Sequence, residues 1–278
     1  MYYAGVDVGS RTIKVAVIDE TGRQGIASGI CDQGVRQAAL AHNLFDQVLT
    51  RAKISRQDIL RIVATGYGRN AVEWADTTVT EITCQAYGVR QQVADVRTII
   101  DIGGQDSKVI RLDERGIVYD FVMNDRCAAG TGRFLEIVAQ RLEMGINDLG
   151  GIAETAVRPS IISSMCAVFA ETEIVGLLAN EESPADLAAG VQRAVAKRMV
   201  SMLGGRINGP VVFTGGVALI PGMSRALSDA LDRTIVIADT PQTTAALGAA
   251  IIAGAATERA ERSNRPVSAG AHYLEGIR

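Results

Sequence analysis

The sequence has no apolar run long enough to span a membrane. It also has no basic leader followed by a hydrophobic stretch, because the chain enters a strand-like segment at once. No membrane association and a cytoplasmic location are therefore expected. Cysteine is scarce. Cys31, Cys84, Cys127 and Cys166 form no CxxC pair, which argues against disulfides in a reducing compartment. Charge is nearly balanced at a formal net of -3, so nucleic-acid binding through bulk electrostatics is not expected. A GxxxxGKS/T phosphate loop is missing, and so is a GxGxxG turn after a strand, which sets aside P-loop and Rossmann folds. His42 has no neighbouring ligand residue to suggest zinc. What is there is an ordered globular composition: 278 residues, 47% hydrophobic and 21% charged, enough for two modest domains.

The most informative positive feature is an internal repeat. Asp7-Val8-Gly9-Ser10-Arg11-Thr12-Ile13-Lys14-Val15 is matched in plan by Asp101-Ile102-Gly103-Gly104-Gln105-Asp106-Ser107-Lys108-Val109. Each copy runs on to a similar turn, Asp19–Gly22 and Asp113–Gly116. A strand ending in Asp, a small-residue turn and a second strand present backbone N–H groups to a phosphate. Two such turns face to face would grip one polyphosphate. A single DxG turn is an ordinary hairpin; two copies together with Gly215-Gly216-Val217 favour a nucleotide site.

Pattern predicts antiparallel strands at Ala4–Asp7, Ile13–Ile18 and Gln24–Ile30, a helix at Val35–Ala52, a strand at Arg61–Ala64 and a helix at Cys84–Val93. Strands at Thr98–Ile102, Lys108–Leu112 and Ile117–Met123 repeat the opening. Helices follow at Gly132–Leu142, Cys166–Ala179 and from Pro184 to Leu203, then a strand at Val211–Thr214 and helices at Met223–Leu231 and Thr243–Ala255. Tyr67, Trp74 and Met165 are expected to pack, and the tail beyond Glu258 to be polar and loosely held.

The two turns and Phe213-Thr214-Gly215-Gly216-Val217-Ala218 resemble the phosphate and adenosine motifs of the actin, hexokinase and heat-shock-chaperone ATPase superfamily. Ala246–Ala250 is similar to its connecting helix. The resemblance covers nearly the whole chain. It implies an α/β fold of two related ribonuclease-H-like (actin-like ATPase) domains with a nucleotide cleft between them. Residues 1–95 would form subdomain I, 96–242 subdomain II, 243–258 a helix returning to subdomain I, and 259–278 a polar tail. Gly9, Ser10, Arg11 and Thr12 would line one side of the phosphates of ATP or ADP. Gly103, Gly104, Gln105 and Asp106 would line the other, and Gly215, Gly216 and Val217 would pack on adenosine. Asp7 and Asp101 would hold Mg²⁺, mostly through water, and Gln105 would orient the attacking water. Lys14 and Lys108 either reach phosphate or snorkel from their strands.

Cys127 and Cys166 each stand among small residues near the start of an expected helix, where free N–H donors lower a thiol pKa. Buried structural cysteines are one reading. A half-site is the other, since a 4Fe-4S cluster takes four thiolates and a symmetric pair of chains supplies them two by two. NDRCAAGTGRFLE, SSMCAVFAETE and FTGGVAL closely resemble the activators (archerases) of 2-hydroxyacyl-CoA dehydratases, a family that includes the ATPase subunits of benzoyl-CoA reductase. The resemblance implies a homodimer with Cys127 and Cys166 as ligands of one shared 4Fe-4S cluster. It also implies an electron donor such as ferredoxin or flavodoxin. One low-potential electron would be passed, under ATP hydrolysis, to a partner iron–sulfur dehydratase or reductase. A sugar kinase of the same superfamily shares the phosphate turns but has no use for the paired cysteines. A regulator that uses ATP only to change shape is a second alternative. Cys31 and Cys84 match nothing in the family and are read as structural.

Overall fold

The computed structural model describes residues 1–22, 25–164, 166–205 and 207–264, with side chains from 258 onward left out. Gln24, Met165 and the tail beyond 264 lie outside the described residues. β1 (Tyr2–Val8), β2 (Thr12–Asp19) and β3 (Gly25–Asp32) form an antiparallel meander. α1 (Gln37–Ala52) is the crossover that lets β4 (Ile59–Thr65) return parallel to β1. With the short β5 (Thr77–Thr78), the first sheet has the order β3-β2-β1-β4-β5.

α2 (Glu81–Gln92) leads to a second meander, β6 (Thr98–Ile102), β7 (Ser107–Leu112) and β8 (Val118–Asn124). Here the crossover is longer. It comprises α3 (Gly132–Arg141), α4 (Ile146–Ala153), α5 (Ala167–Ala179) and α6 (Pro184–Leu203) before β9 (Val211–Thr214) pairs parallel with β6. α7 (Met223–Leu231) and β10 (Ile235–Ile237) complete the sheet in the order β10-β9-β6-β7-β8. α8 (Thr244–Asn264) packs back on β1, β2 and β4, and against α2.

Local chemistry accounts for these elements. β1 and β6 are central and almost wholly buried, so their apolar runs do not alternate, while edge strand β3 alternates along its length. α1 buries Ala41, Leu44, Phe45, Val48 and Leu49, one stripe at helical spacing. α6 starts with Ser183 accepting from the Ala185 N–H and Pro184 in its first turn, and ends at left-handed Gly204. α4 was not legible because Gly150-Gly151 weakens its propensity. Its place is set by packing: a Cβ on Gly150 would lie 2.7 Å from Pro221 Cδ. α8 runs nine residues past the expected end at Ala255.

The bridge between the sheets is a glycine-mediated crossing. A Cβ on Gly88 of α2 would sit 1.8 Å from the Thr244 carbonyl oxygen, and one on Gly248 of α8 1.7 Å from that of Cys84. The helices therefore touch backbone to backbone, and neither position can yield by a side-chain adjustment. Gly248→Ala should cost about 3 kcal/mol through forced separation of α2 and α8. Gly176→Ala, on α5 with nothing within 4 Å of its added Cβ, should stabilise by up to about 1 kcal/mol. Urea unfolding of the two variants checks the opposite signs.

Candidate functional site

Both repeat turns close in the same way. The Gly9 N–H donates to the Thr12 carbonyl (3.1 Å) and the Gly103 N–H to the Asp106 carbonyl (2.9 Å). Register then places Asp7 opposite Lys14 and Asp101 opposite Lys108, so each lysine shares a sheet face with its aspartate. The repeat extends further than the two turns. Asp7 pairs with Thr65 on β4 and Asp101 with Thr214 on β9, and each threonine is followed by a positive-φ glycine: Gly66 at 87° and Gly215 at 88°. A Cβ on Gly66 would fall 2.4 Å from Asp7 Oδ1, and one on Gly215 2.5 Å from Asp101 Oδ1. Thr65-Gly66 and Thr214-Gly215 are thus equivalent cradles for the two carboxylates. The signal was in the sequence as a second shared dipeptide.

The turns face one another across a cavity of about 580 Å³ between the sheets. Asp7, Gly9, Ser10, Arg11, Thr12 and Lys14 line it from the first sheet, and Asp101, Gly103, Gly104 and Asp106 from the second. Gly215, Gly216 and Val217 close one end beside Pro241 and Gln242. Gln105 is not in this cavity. It lines an adjoining one of about 370 Å³, with Gln33, Gln37 and Asp125. Tyr67, expected to pack, is 50% exposed and borders both cavities. Trp74 does pack, edge against His42 and tilted on Phe45, while His42 pairs with Asp46 at 3.1 Å.

Neither lysine snorkels. Lys108 is buried, and its Nζ lies 2.8 Å from Asp106, 2.9 Å from Glu81 and 3.3 Å from Asp101. Burial alone would pull its pKa down, but Asp101, Glu81 and Asp106 outweigh that and hold it well above the ordinary value. Lys14 makes one ion pair, 3.1 Å to Asp7, which likewise overcomes burial and raises its pKa. Glu81, the first residue of α2, went unnoticed in the sequence because it belongs to no repeat. Burial, reinforced by Asp7, Asp101 and Asp106 against the pull of Lys108, pushes its carboxyl up to about 7. Burial also raises Asp106, against Lys108.

The cysteines stand away from this cavity. Cys166 is exposed and is the N-cap of α5. Cys127 is half-buried and heads a 3-10 turn, Ala128–Gly130, that leads into α3. The first N–H groups of α3 are bonded to the second repeat turn: Gly132 donates to the Gly103 carbonyl (2.9 Å) and Arg133 to that of Gly104 (2.8 Å). Cys84 is fully buried, and burial raises its thiol to about 12, as expected of a structural cysteine. Among the described residues no three His, Cys, Asp or Glu side chains converge to hold a metal ion, and no helix is long and apolar enough to cross a membrane.

Two five-stranded mixed sheets, each with a strand-turn-strand repeat at a shared cleft, define an actin-like ATPase fold. The chain belongs to the BadF/BadG/BcrA/BcrD ATPase family, whose model matches residues 4–253. It is 42% identical to the activator of lactoyl-CoA dehydratase from Anaerotignum propionicum, over 93% of this chain and 100% of that protein. It is 39% identical to the (R)-2-hydroxyglutaryl-CoA dehydratase activating ATPase of Acidaminococcus fermentans, over 91% and 97%. Among solved structures, the activator of the 2-hydroxyisocaproyl-CoA dehydratase from Clostridium difficile with bound ADPNP superposes with a TM-score of 0.89. It is 37% identical, over 97% of this chain and 100% of that one.

The Glu81 carboxyl gives the cleft a pH signature. Its folded pKa lies above its ordinary value, so the stability it contributes is fully present below about pH 4.5 and is lost as pH rises through about 7. Wild-type protein should lose stability to urea across that window. Glu81→Gln, which has no proton to lose, should show a flatter profile. An unchanged slope would assign the titration to another group.

Proposed function

We propose that this chain is an ATP-hydrolysing iron–sulfur reductase that passes one low-potential electron to a partner (R)-2-hydroxyacyl-CoA dehydratase. The observation that carries the reading is the bonding of α3 to the second repeat turn. The carbonyls of Gly103 and Gly104 hold the N–H groups of Gly132 and Arg133, five and six residues after Cys127. A turn that moves with phosphate would move the helix behind a cysteine.

In this reading Gly9, Ser10, Arg11, Thr12 and Lys14 hold the phosphates of ATP from one side. Gly103, Gly104 and Asp106 hold them from the other, Gly215, Gly216 and Val217 receive adenosine, and Gln105, from the adjoining cavity, orients water for hydrolysis. Mg²⁺ suits the donor set. Asp7 Oδ1 is buried without a hydrogen-bond partner. Four carboxylates (Asp7, Glu81, Asp101, Asp106) face two ammonium groups. Asp7 and Asp101 would hold the ion largely through water, since Mg²⁺ dehydrates reluctantly.

Cys127 and Cys166 suit a 4Fe-4S cluster shared by two copies of the chain: Cys166 is exposed at the N-terminus of α5, Cys127 is half-buried at the head of the 3-10 turn before α3, and neither side chain is used as a cap. When bound, the cluster supplies one-electron chemistry, recharged by a donor such as ferredoxin or flavodoxin. Val168, Phe169 and Val175 are exposed on α5 behind Cys166, an apolar surface that a second copy would cover in a two-fold homodimer. The α3 and α5 termini present the thiolates, and cleft closure on ATP shifts α3 through its bonds to Gly103 and Gly104. Dehydratase as electron acceptor follows the dehydratase activators to which the chain is similar.

Anaerobic purification tests the proposal. About four irons per dimer are expected, with loss of iron in Cys127→Ser and in Cys166→Ser. Gln105→Ala should retain nucleotide binding and lose roughly 100-fold in ATP hydrolysis. A dimer that takes up no iron under reducing anaerobic reconstitution overturns the cluster. ATP turnover that requires an added sugar points to a kinase instead.

A further inference from the structure

Each cysteine-bearing segment is gripped by one polar side chain, and neither grip was visible in the repeat or in the cysteine spacing. Asn124, the last residue of β8, brackets Cys127 on both sides of its backbone. Its Oδ1 accepts the Cys127 N–H (3.1 Å) and its Nδ2 donates to the Cys127 carbonyl (2.8 Å). The same Nδ2 lies 3.4 Å from Ser107 Oγ, at the start of the strand that follows the second repeat turn. Glu173 does the corresponding work for Cys166. Its Oε1 accepts the Ser163 N–H (2.8 Å) and the Ser163 hydroxyl (2.7 Å), and its Oε2 accepts the Ser164 N–H (2.9 Å). Glu173 stands seven residues into the chain from Cys166, about two helical turns along the same face of α5. The segment entering the cysteine is thereby folded back on the helix that leaves it.

We infer that Asn124 and Glu173 are positioning residues for the two cysteine thiolates, each fixing the backbone direction from which its Cys side chain projects. The inference rests on the cluster reading above. Its physical basis is that ligands of a metal centre are aimed by outer partners, whose loss costs about 10- to 100-fold in metal affinity. Both side chains are spent on this one task. Asn124 donates and accepts from two atoms of one side chain, which an acceptor-only carboxylate cannot imitate. Glu173 offers acceptors to three donors. Burial would raise its carboxyl, but the hydrogen bonds from Ser163 and Ser164 outweigh burial and hold it near 2. The carboxylate is therefore ionised at any working pH, and the grip does not loosen as pH changes around neutrality. The two grips differ in kind. The first is neutral and tied to the phosphate-turn sheet through Ser107; the second is anionic and confined to α5.

The test uses the full chain, purified without oxygen. Asn124→Asp turns an amide donor toward the Cys127 carbonyl into an acceptor. Glu173→Gln removes the charge and points an amide N–H₂ at a backbone donor. Ser163→Ala removes one of the two Ser163 donors to Glu173, the hydroxyl, and leaves the backbone N–H; it serves where Glu173→Gln does not fold. Each variant should release iron to a chelator roughly 10-fold faster than wild type. Each should also shift the reduction potential and the electron-paramagnetic spectrum of the reduced dimer. Thermal melting of the iron-free variants should stay near that of the iron-free wild type. A purely structural role would lower melting and leave the potential unmoved. Wild-type iron retention, spectrum and potential in all three variants would overturn the positioning role while leaving the cluster intact. A wild-type dimer without iron would overturn both.

Discussion

One buried ammonium organises the floor of the cleft. Lys108 reaches the central strand of its own sheet through Asp101, the second repeat turn through Asp106, and the helix that bridges the sheets through Glu81. A charge so enclosed is tolerated only with partners, and removing any one leaves the others uncompensated. The first copy of the repeat has no such enclosure. Among the described residues Lys14 is in direct ion-pair contact with Asp7, with Glu81 and Asp101 acting on it from further off, and its side chain remains 17% exposed. The sequence repeat is therefore an electrostatic asymmetry in three dimensions. The second turn is locked against its sheet, whereas Lys14 is the ammonium that an incoming anion can share. Glu81 crosses from the bridging helix to the locked turn, which makes it the group most exposed to a change in the angle between the sheets.

Much of this architecture was legible. Alternation of apolar and turn residues located both meanders, whereas the register that sets Asp7 beside Lys14 and Asp101 beside Lys108 emerges only once the strands pair. The helix start at Ser183-Pro184 followed from capping chemistry. What stayed hidden depends on contacts between residues distant in the chain. Gly88 and Gly248 are unremarkable glycines in helical segments until α2 and α8 cross at their backbones. Gly150-Gly151 argues against a helix, yet α4 forms because Leu149 and Ala153 are buried in the larger core. Glu81 carries no motif, and only the fold brings it to Lys108. Lys108 itself was read from its neighbours in sequence, which cannot report three carboxylates converging from three elements. Gln105 follows the repeat faithfully but turns into the adjoining cavity.

The connection from cleft to cysteines can be traced and its links ranked. Arg11 of the first turn pairs with Glu136 on α3 at 3.4 Å, and Arg133 with the same carboxylate at 3.1 Å. Both arginines are more than half exposed, and such pairs contribute little in water. The bonds from Gly132 and Arg133 to the second turn are of another kind. They fix backbone to backbone, and a Cβ on Gly132 would meet the Gly103 carbonyl at 3.1 Å, so the helix start and the turn have little room to slide. At the far end of α3, Arg141 pairs with Glu171 on α5. Displacement of the turn would therefore reach Cys127 through rigid backbone, and reach α5 through a softer, solvent-facing link.

That ranking bears on how nucleotide would act. A ligand shifts an arrangement only by the difference in its affinity for the two states, about 1.4 kcal/mol for each tenfold preference. Exposed ion pairs between the first turn and α3 are too weak to resist such a preference, so they set no barrier to opening. The Lys108 network and the α2–α8 glycine crossing are stiff and both lie at the bridge, so they hold the sheets together there and leave the compliance to the side of the cleft facing α3. A stiff bridge beside a compliant seam is the arrangement in which a modest binding preference produces one defined rotation rather than diffuse strain. The compliance lies where Arg11 meets Glu136, and the half of the molecule that carries both cysteines is the half whose repeat turn is locked. In the proposed reading, ATP closing on Gly9–Thr12 would move the cysteine-bearing sheet as a whole. The thiolates would then change their setting at the dimer surface without any change in the loops that present them.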